Sequence, residues 1–360
     1  MSRRVAVVAA LTLCGVAVAS TFARGTARPD AFMIQRLVSD KETRAHTVDG
    51  RLVNSWGLAA SPTGPWWVSN EASATSTLYD GGGQKQSLTV SVPGGPTGLV
   101  FYAGKDFRIA IGARSDPARF IYACEDGKLR AWTPTVPTAW STRAVVVADA
   151  AGEAAVFRGL AIAGERIYAT DFHNARVDVF DSHWRRVVRA GAFVDHSIPD
   201  WYAPFGIQAI GNHIFVTYVW RAPVNGNDAP TGGYVDEFDL AGSLEARVAR
   251  KGALNAPWGM ALAPRSFGRF GGDLLVGNFG DGRINAYRRA GAIWTHDGTL
   301  PGTHGVPLEV NGLWGIAFGN GGSAGSTHTL FFASGPHDWR GVTELGVHGL
   351  VGAITLARHV

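Results

Sequence analysis

The chain has 360 residues, of which 46% are hydrophobic, enough for a sizeable core in two ordinary domains or one large all-β domain. Charged residues make up only 17% and glycine contributes 47 residues, which argues against a mainly α-helical protein because glycine destabilises helices. The net charge of +4 comes with no dense Lys/Arg cluster beyond the N-terminus, which argues against nucleic-acid binding, since that needs a clustered basic face.

The first element in chain order is a predicted signal peptide. The chain starts MSRRVAVVAALTLCGVAVAS, with two arginines, an apolar run from Val5 and small residues at Ala17 and Ala19. This order is typical of a secretory signal cut after Ala19, so we expect residues 1–19 to be removed and the protein to be periplasmic or extracellular. The apolar run is also nearly long enough for an uncleaved anchor, an alternative that stays open. Residues 20–31 are predicted to form a flexible tether.

Cysteine usage agrees with export. Once the signal is removed, Cys124 is the one remaining thiol, so no intrachain disulfide can form and the core must supply the stability. Cys124 lies in the alternating run FIYACED, which predicts a buried structural thiol.

From Ser55 onward the chain repeats one pattern. The segments SWGLAA, PTGLVF, FRGLAI, PFGIQA, PWGMAL and LWGIAF each place a glycine before alternating apolar residues. These glycines are Gly57, Gly98, Gly159, Gly206, Gly259 and Gly315. A second apolar run follows each segment, and most have a third that ends near an aromatic residue. Because a period of about 40–60 residues is typical of propeller blades, we predict an all-β, six-bladed β-propeller over residues 32–360.

Ring closure is predicted from the ends of the repeat region. FMIQRLVSD, Phe32 to Asp40, alternates like a strand and is expected to pair with the last blade, which ends in AITLARHV. Uneven spacing between copies predicts loop insertions at 102–119, 220–232 and 319–328. Asp281 and Gly282 are predicted to form a hairpin turn. A two-sheet sandwich is the alternative fold, but it does not explain the sixfold recurrence.

Several motifs resemble a family of exported bacterial six-bladed propellers of unknown function. They are LVNSWGLAASPTGPWWVSN, FVDHSIPDWYAPFGIQ, PWGMALAP, LLVGNFGDGRINAY, and GLWGIAFGN with FFASGPHD. The resemblance spans about residues 35–355 and implies a fold and an export route, but no activity. The segment SGPHDWRGVTELGVHGLVG departs from it by its greater length and by Val351 in place of Phe. More distantly, the chain resembles NHL-repeat propellers and the gluconolactonase-like metal-dependent hydrolases.

The propeller geometry predicts one shared mouth. Loops that enter the innermost strands and loops that follow the second strands open on the same face of such a fold. The entering loops contribute Asn54, Trp56, Thr97, Arg158, Phe205, Trp258 and Trp314. The second-strand exits contribute Asn70, Glu71, Glu125, Asp126, Asp171, His173, Tyr218, Asn278, His337 and Asp338. Aromatic walls with a few placed polar groups are typical of ligand sites.

The first interpretation is a binding scaffold for a small molecule, glycan or protein. Its predicted ligand-binding residues are Trp56, Arg158, Trp258, Trp314 and Tyr218. In this interpretation the tryptophan faces are exposed and stack on a sugar ring or another flat ligand. The structural alternative is that the tryptophans pack between blades. We expect a monomer with no nucleic-acid partner and no stable membrane insertion after signal cleavage.

The second interpretation is a metal-dependent hydrolase of the lactonase type. Asn70, Glu125, Asp171 and Asn278 offer the oxygen ligands that a divalent cation such as Ca²⁺ prefers, and a bound metal could activate water. The structural alternative is that each of these residues forms a turn after its strand. No G-x-S-x-G, H-E-x-x-H, P-loop or helix-opening G-x-G-x-x-G motif is present.

Overall fold

A computed structural model describes most of the chain. The described residues are 30–41, 45–187, 189–221, 232–336 and 348–357. The predicted signal peptide, nearly all of the predicted tether, and His337 and Asp338 lie outside them. The helices among them are two three-residue 3₁₀ turns, Ala151–Glu153 and Gly268–Phe270. Neither meets the length and hydropathy that a membrane-spanning helix requires.

Short strands joined by tight turns build the first half of the molecule, as the glycine-rich composition predicts. In chain order these strands are β1 (Phe32–Ser39), β2 (Thr47–Val48), β3 (Ser55–Ala60), β4 (Trp66–Asn70), β5 (Thr75–Tyr79), β6 (Lys85–Ser91), β7 (Pro96–Phe101), β8 (Arg108–Ile111), β9 (Arg114–Pro117), β10 (Phe120–Cys124), β11 (Lys128–Trp132), β12 (Val145–Asp149), β13 (Phe157–Ala163) and β14 (Arg166–Asp171). The predicted insertion at 102–119 is the separate hairpin of β8 and β9.

The second half continues the same pattern. Its strands are β15 (Arg176–Asp181), β16 (Arg186–Val187), β17 (Tyr202–Ile210), β18 (His213–Trp220), β19 (Tyr234–Asp239), β20 (Leu244–Arg250), β21 (Pro257–Leu262), β22 (Leu274–Asn278), β23 (Ile284–Ala290), β24 (Ile293–Thr299), β25 (Leu313–Phe318), β26 (Leu330–Ser334) and β27 (Leu350–Leu356). Asp281 and Gly282 form the turn between β22 and β23, where the Gly282 N–H donates to the carbonyl of Asn278 at 3.0 Å. The predicted hairpin is therefore confirmed.

Six antiparallel sheets form the blades, which confirms the predicted six-bladed β-propeller. From the innermost strand outward they are blade 1 (β3, β4, β5, β6), blade 2 (β7, β10, β11, β12), blade 3 (β13 to β16), blade 4 (β17 to β20), blade 5 (β21 to β24) and blade 6 (β25, β26, β27, β1). Separate apolar layers between neighbouring blades form the core. Cys124 is fully buried in one of these layers, as predicted, and burial raises the pKa of its thiol to about 12.

The N-terminal strand closes the ring. β1 pairs antiparallel with β27 in a register that runs from Phe32 opposite Leu356 to Ser39 opposite Leu350. Its Phe32 side chain is buried in the apolar layer between blades 5 and 6. The expected pairing with the last blade is confirmed, and the short β2 adds a parallel partner at the outer edge.

The glycine of each repeat permits the blades to meet at the centre. A Cβ atom at Gly206 would lie 2.0 Å from the carbonyl oxygen of Trp258, and one at Gly259 would lie 2.3 Å from that of Trp314. At the other four repeat glycines, the backbone of the next innermost strand would lie 2.4 to 2.9 Å from a Cβ. The repeat therefore marks the one position per blade where backbone meets backbone.

Hydroxyl groups connect neighbouring innermost strands: one on the second strand in blades 1, 3 and 4, and Thr97 Oγ1 of blade 2, which donates to the carbonyl of Phe157 in blade 3 at 3.0 Å. The Gly206 N–H donates to Thr217 Oγ1 at 2.8 Å, and the same hydroxyl donates to the carbonyl of Pro257 in the next blade at 2.7 Å. Thr170 and Ser69 form the same bridge in blades 3 and 1. Each bridge satisfies buried backbone groups, so it adds to the rigidity of the ring.

Candidate functional site

The strand pairing defines one end of the propeller as a common mouth. Ser55, the first residue of its innermost strand, lies opposite Asn70, the last residue of the second strand. Pro257 lies opposite Asn278 in the same way in blade 5. Since the other blades follow this register, the loops that enter the innermost strands and those that leave the second strands gather at the same end.

An aromatic cluster fills the mouth end of the central channel. Trp56 stacks on Trp314 with ring centroids 3.5 Å apart and meets Trp258 edge-on at 5.8 Å. Trp56 of blade 1 also meets Phe205 of blade 4 at 6.4 Å. Blades 1 and 4 face each other across the ring, so this contact must cross the channel axis. We call the group Trp56, Phe205, Trp258 and Trp314, with Phe172 and Phe279 beside it, the axial cluster.

The tryptophans of the axial cluster are buried rather than open to solvent. Trp56 and Trp314 are each 4% exposed and Trp258 is 8% exposed. The interpretation in which their faces are exposed for stacking is therefore corrected: these faces pack on one another, because the channel is narrow enough for opposite blades to touch. The outer surface of the cluster is formed instead by the partly exposed rings of Phe172 and Phe279.

Two indole groups of the axial cluster lack an acceptor. Trp56 Nε1 and Trp258 Nε1 are buried and have no hydrogen-bond partner among the residues that the structure describes. The third indole, Trp314 Nε1, donates to Asn54 Oδ1 at 3.3 Å. A buried donor without a partner costs about 1–3 kcal/mol, so an acceptor that reached either group would remove that cost.

Arg158 covers the blade 3 side of the axial cluster. Its guanidinium carbon lies 5.4 Å from the ring centroid of Trp56 and 5.7 Å from that of Phe172, within the range of cation–π attraction. The same guanidinium forms an ion pair with Glu125. The side chains of Arg158 and Glu125 are 23% and 31% exposed, so the pair lies at the boundary between cluster and solvent.

A second polar pair extends this border. Asn54 Nδ2 donates to Glu71 Oε2 at 2.8 Å, while Asn54 Oδ1 accepts from the indole of Trp314. A Cβ placed at Gly95 would lie 3.2 Å from Glu71 Oε1 and 3.5 Å from the Cβ of Glu125, so the two acids flank this glycine. Asn54, Glu71, Glu125 and Arg158 therefore form a polar arc over blades 1 to 3. Phe205, Trp258 and Phe279 lie over blades 4 and 5, while Phe172 lies beside Arg158 on blade 3.

Tyr218, the fifth predicted ligand-binding residue, belongs to a different environment. Its ring packs in the apolar layer between blades 3 and 4, and its hydroxyl is buried with no partner among the described residues. Burial raises the pKa of this phenol well above its ordinary value, and the charge of Asp236 adds to the effect. Arg247 contacts both Asp236 and Asp195 through its guanidinium. The cluster of Tyr218, Asp195, Asp236 and Arg247 lies off the axis.

Asn70 and Asn278, two of the four predicted metal ligands, use their amide nitrogens inside their own blades. Asn70 Nδ2 donates to Thr77 Oγ1 at 2.9 Å. Asn278 Nδ2 donates to the carbonyl of Ala253 at 2.9 Å and to Asp281 Oδ1 at 3.1 Å. Both amides therefore hold the turns that follow their strands.

The other two predicted ligands are also engaged locally. Asp171 is fully buried and accepts from the backbone N–H groups of Val156 and Asn174, both at 3.2 Å. Glu125 is paired with Arg158. Among the described residues, no contact joins any two of the four. A shared cation would have to displace bonds that Asp171 and Glu125 make, whereas Asn70 Oδ1 and Asn278 Oδ1 are buried with no hydrogen-bond partner among the described residues. The two amide oxygens are groups that a cation could engage, and the metal hypothesis stays a prediction.

One other group of side chains has ligand atoms close together. Those of His213, Glu237 and Glu245 lie within 4.8 Å of one another, the one such His/Cys/Asp/Glu group in the part of the chain that the structure describes. Glu237 is buried, and it accepts from Arg289 at 2.6 Å and from the indole of Trp294 at 3.0 Å. An arginine on the buried carboxylate opposes a second cation, so the arrangement is an ion-pair network between blades 4 and 5.

Sequence reasoning missed the two rings at the surface of the axial cluster. Phe172 and Phe279 each follow directly after the last residue of a second strand, Asp171 and Asn278. An aromatic residue repeated at that position in two blades was the available signal. The prediction relied instead on the polar residues at the strand ends, although the side chains of Asn70 and Asn278 stabilise the hairpins that follow.

No protein-family model matches the chain. Two uncharacterised proteins of Acanthamoeba polyphaga mimivirus are clear relatives. L690 is 33% identical over 297 residues, covering 79% of this chain and 78% of that protein. R648 is 34% identical over 297 residues, covering 79% of this chain and 73% of that protein. The chain is a six-bladed β-propeller, and it belongs to the family of these uncharacterised viral proteins.

Solved structures agree on the fold. The soluble aldose sugar dehydrogenase of Escherichia coli, in its apo form, is 12% identical with a TM-score of 0.53, covering 90% of this chain and 99% of that one. The PQQ-bound aldose sugar dehydrogenase of Streptomyces coelicolor is 14% identical with a TM-score of 0.50, covering 91% and 98%. At these identities the likeness shows the propeller fold alone.

Proposed function

We propose that this protein is a binding propeller that takes a small hydroxylated ligand, such as a sugar ring, at the mouth of its central channel. The observation that carries the proposal is the pair of buried indole N–H groups of Trp56 and Trp258 that lack acceptors. A hydroxyl or ring oxygen of a ligand would satisfy them. Export, expected from the N-terminal pattern, is part of the proposal and would bring the mouth into contact with extracytoplasmic sugars.

The surroundings of the two indoles suit such a ligand. Phe172 and Phe279 offer partly exposed apolar surface, while the polar arc offers carboxylate acceptors on Glu71 and Glu125 and donors on Arg158. Sugar rings have apolar faces and polar edges, so a site that offers aromatic rings beside charged groups can match both. The partners already present hold these side chains in place, which lowers the entropy cost of binding.

Calorimetric titration with glucose, galactose, mannose and their disaccharides tests the proposal. We expect saturable binding of at least one sugar by the wild-type protein. Trp56→Phe and Trp258→Phe keep the ring but remove the N–H group, so each should weaken that binding about 5- to 10-fold, the loss expected for one hydrogen bond. Trp140→Phe is the matched control, because Trp140 is 91% exposed and makes no contact with the axial cluster.

Two results would contradict this function. One is the absence of saturable binding across the whole sugar panel. The other is binding that both indole variants retain at wild-type strength. Metal analysis of the same preparations, with Asp171→Ala as the comparison, separates the hydrolase alternative: stoichiometric metal that disappears in this variant would favour the metal site.

A further inference from the structure

The outer side of blade 3 differs from that of every other blade. Its fourth strand, β16, has two residues, whereas the fourth strands of the other blades have five to eight. β16 pairs only with Val179 and Phe180 of β15. Among the described residues, the first part of β15, from Arg176 to Asp178, therefore has no strand beside it on its outer edge.

A cavity of about 180 Å³ lies along this open edge, between blade 3 and the turn of blade 4 that includes Leu240. Four arginines line it: Arg166, Arg176, Arg186 and Arg189. Its apolar wall includes Val179 and Phe193, both buried beneath the surface. At about 30 Å³ per water molecule in the liquid, the volume exceeds a water-sized site several-fold.

Two of the arginines are fixed in place by acids. Arg176 Nε lies 2.8 Å from Asp178 Oδ1, and Arg176 and Arg186 both approach Glu153 at 2.7 Å. Hydrogen bonds from Arg186 and then Arg176 hold the pKa of Glu153 at about 2, so this carboxylate stays charged. These ion pairs fix the positions of two guanidinium groups before any ligand arrives.

The other two arginines are held less tightly by acids, although hydrogen bonds from Ser243 and Ala241 and then the charge of Arg189 lower the pKa of Asp239. Within the described residues, neither Arg166 nor Arg189 forms an ion pair, and Arg189 donates one hydrogen bond, to the carbonyl of Ala241 at 2.9 Å. A guanidinium has five N–H donors in a fork that matches phosphate and carboxylate groups. Most of these donors on Arg166 and Arg189 are therefore available to an anion.

We propose that this cavity binds a small organic anion, with its phosphate or carboxylate group against Arg166 and Arg189 and its apolar part against Val179 and Phe193. The site is separate from the channel mouth, because its residues belong to the second to fourth strands of blade 3, the segment that leads to blade 4 and the turn between β19 and β20. The small volume of the cavity favours a small molecule over an extended acidic peptide.

Calorimetric titration of the full-length protein tests the site with four probes: phenyl phosphate, benzoate, inorganic phosphate and phenol. We expect saturable one-to-one binding of phenyl phosphate or benzoate, and the tighter of the two identifies the anionic group. Inorganic phosphate should bind at least tenfold more weakly, because it lacks the apolar part. Phenol should not bind measurably, because it lacks the charge.

Arg166→Gln and Arg189→Gln should each weaken binding of the better probe about tenfold or more, and neither variant breaks an ion pair. Arg114→Gln is the matched control, an exposed arginine on the hairpin β8–β9, and it should bind like wild type. Circular dichroism melting confirms that all three variants fold. The proposal is overturned if neither organic anion binds saturably, if both cavity variants bind as wild type does, or if inorganic phosphate binds as tightly as the organic probes.

Discussion

The axis of the propeller and the outer side of blade 3 are packed differently. At the axis, six innermost strands approach so closely that backbone touches backbone at each repeat glycine, and opposite blades meet through the axial cluster. On the outer side of blade 3, the sheet stops after a two-residue strand and charged side chains surround a cavity. One region repeats itself six times, and the other occurs once.

The difference shows where this fold can vary. A change at the axis is felt by two neighbouring blades and by the channel, because every contact there is shared. A substitution at the outer edge changes contacts within one blade only, because the other side of the residue faces solvent. We therefore expect substitutions to lose effect with distance from the axis, and the following experiments measure that gradient from its largest value to its smallest.

The largest effect is expected from Gly206→Ala. The new Cβ would lie 2.0 Å from the carbonyl oxygen of Trp258, so the backbones of blades 4 and 5 must separate. Overpacking against backbone should lower the free energy of unfolding by about 3–5 kcal/mol, measured by urea denaturation. Gly50→Ala is the control, since a Cβ there meets nothing within 4 Å. Equal stability of both variants would show that the innermost strands are not tightly packed.

An intermediate effect on stability is expected from titration of Asp236, which lies in the third strand of blade 4. Burial raises its pKa to about 7, although Arg247 opposes the shift. The folded state then holds a proton that the unfolded state releases near pH 4. The contribution of Asp236 to the free energy of unfolding is therefore largest below about pH 4. It falls as the pH rises from about 4 to about 7. Relative to Asp236→Asn, the wild type should lose roughly 2–4 kcal/mol between pH 4 and pH 8.

Urea denaturation of both proteins at pH 4, 6 and 8 gives this difference. Asp80→Asn is a suitable reference, since that aspartate lies in a surface turn of blade 1. A difference between wild type and Asp236→Asn that stays constant over the pH range would show that Asp236 is ionised throughout.

The smallest effect is expected at the outer edge of blade 3. Arg176→Gln removes ion pairs with Glu153 and Asp178 and a longer one, 3.6 Å, with the buried Asp171. The arginine is 38% exposed, Arg186 remains 3.6 Å from Asp178, and Asp171 keeps the hydrogen bond from Asn174 Nδ2 at 2.7 Å. Partly exposed ion pairs contribute little, so the free energy of unfolding should fall by less than about 1 kcal/mol. A loss as large as that of Gly206→Ala would mean that stability does not decline outward.

The sequence predicted the axis well because backbone geometry constrains it most. Glycine is required wherever two innermost strands touch, so the six repeat glycines gave the blade number, and the alternating run from Phe32 gave the closing strand. The outermost strands were harder to predict, because their sequences alternate less clearly between apolar and polar residues. Leu244–Arg250, for example, has mostly exposed residues in its first half and does not alternate strictly.

The site was predicted only in part. The strand register placed Trp56, Trp258 and Trp314 at one end, which the structure confirms, but their exposure depends on the width of the channel. That width is set by all six blades together. Arg247 and Asp195, by contrast, come from a strand and a loop whose approach no local pattern specifies.

The closure of the ring also determines how the protein resists force. Phe32 and Leu356, opposite each other in the register of β1 and β27, both lie at the end where the chain enters the first strand and leaves the last. A pull on the two flanking segments would load the outermost hydrogen bonds one after another, a peeling geometry, instead of shearing the whole ladder at once. A propeller held through both flanks should therefore open at blade 6 under modest tension, with the other five blades still folded.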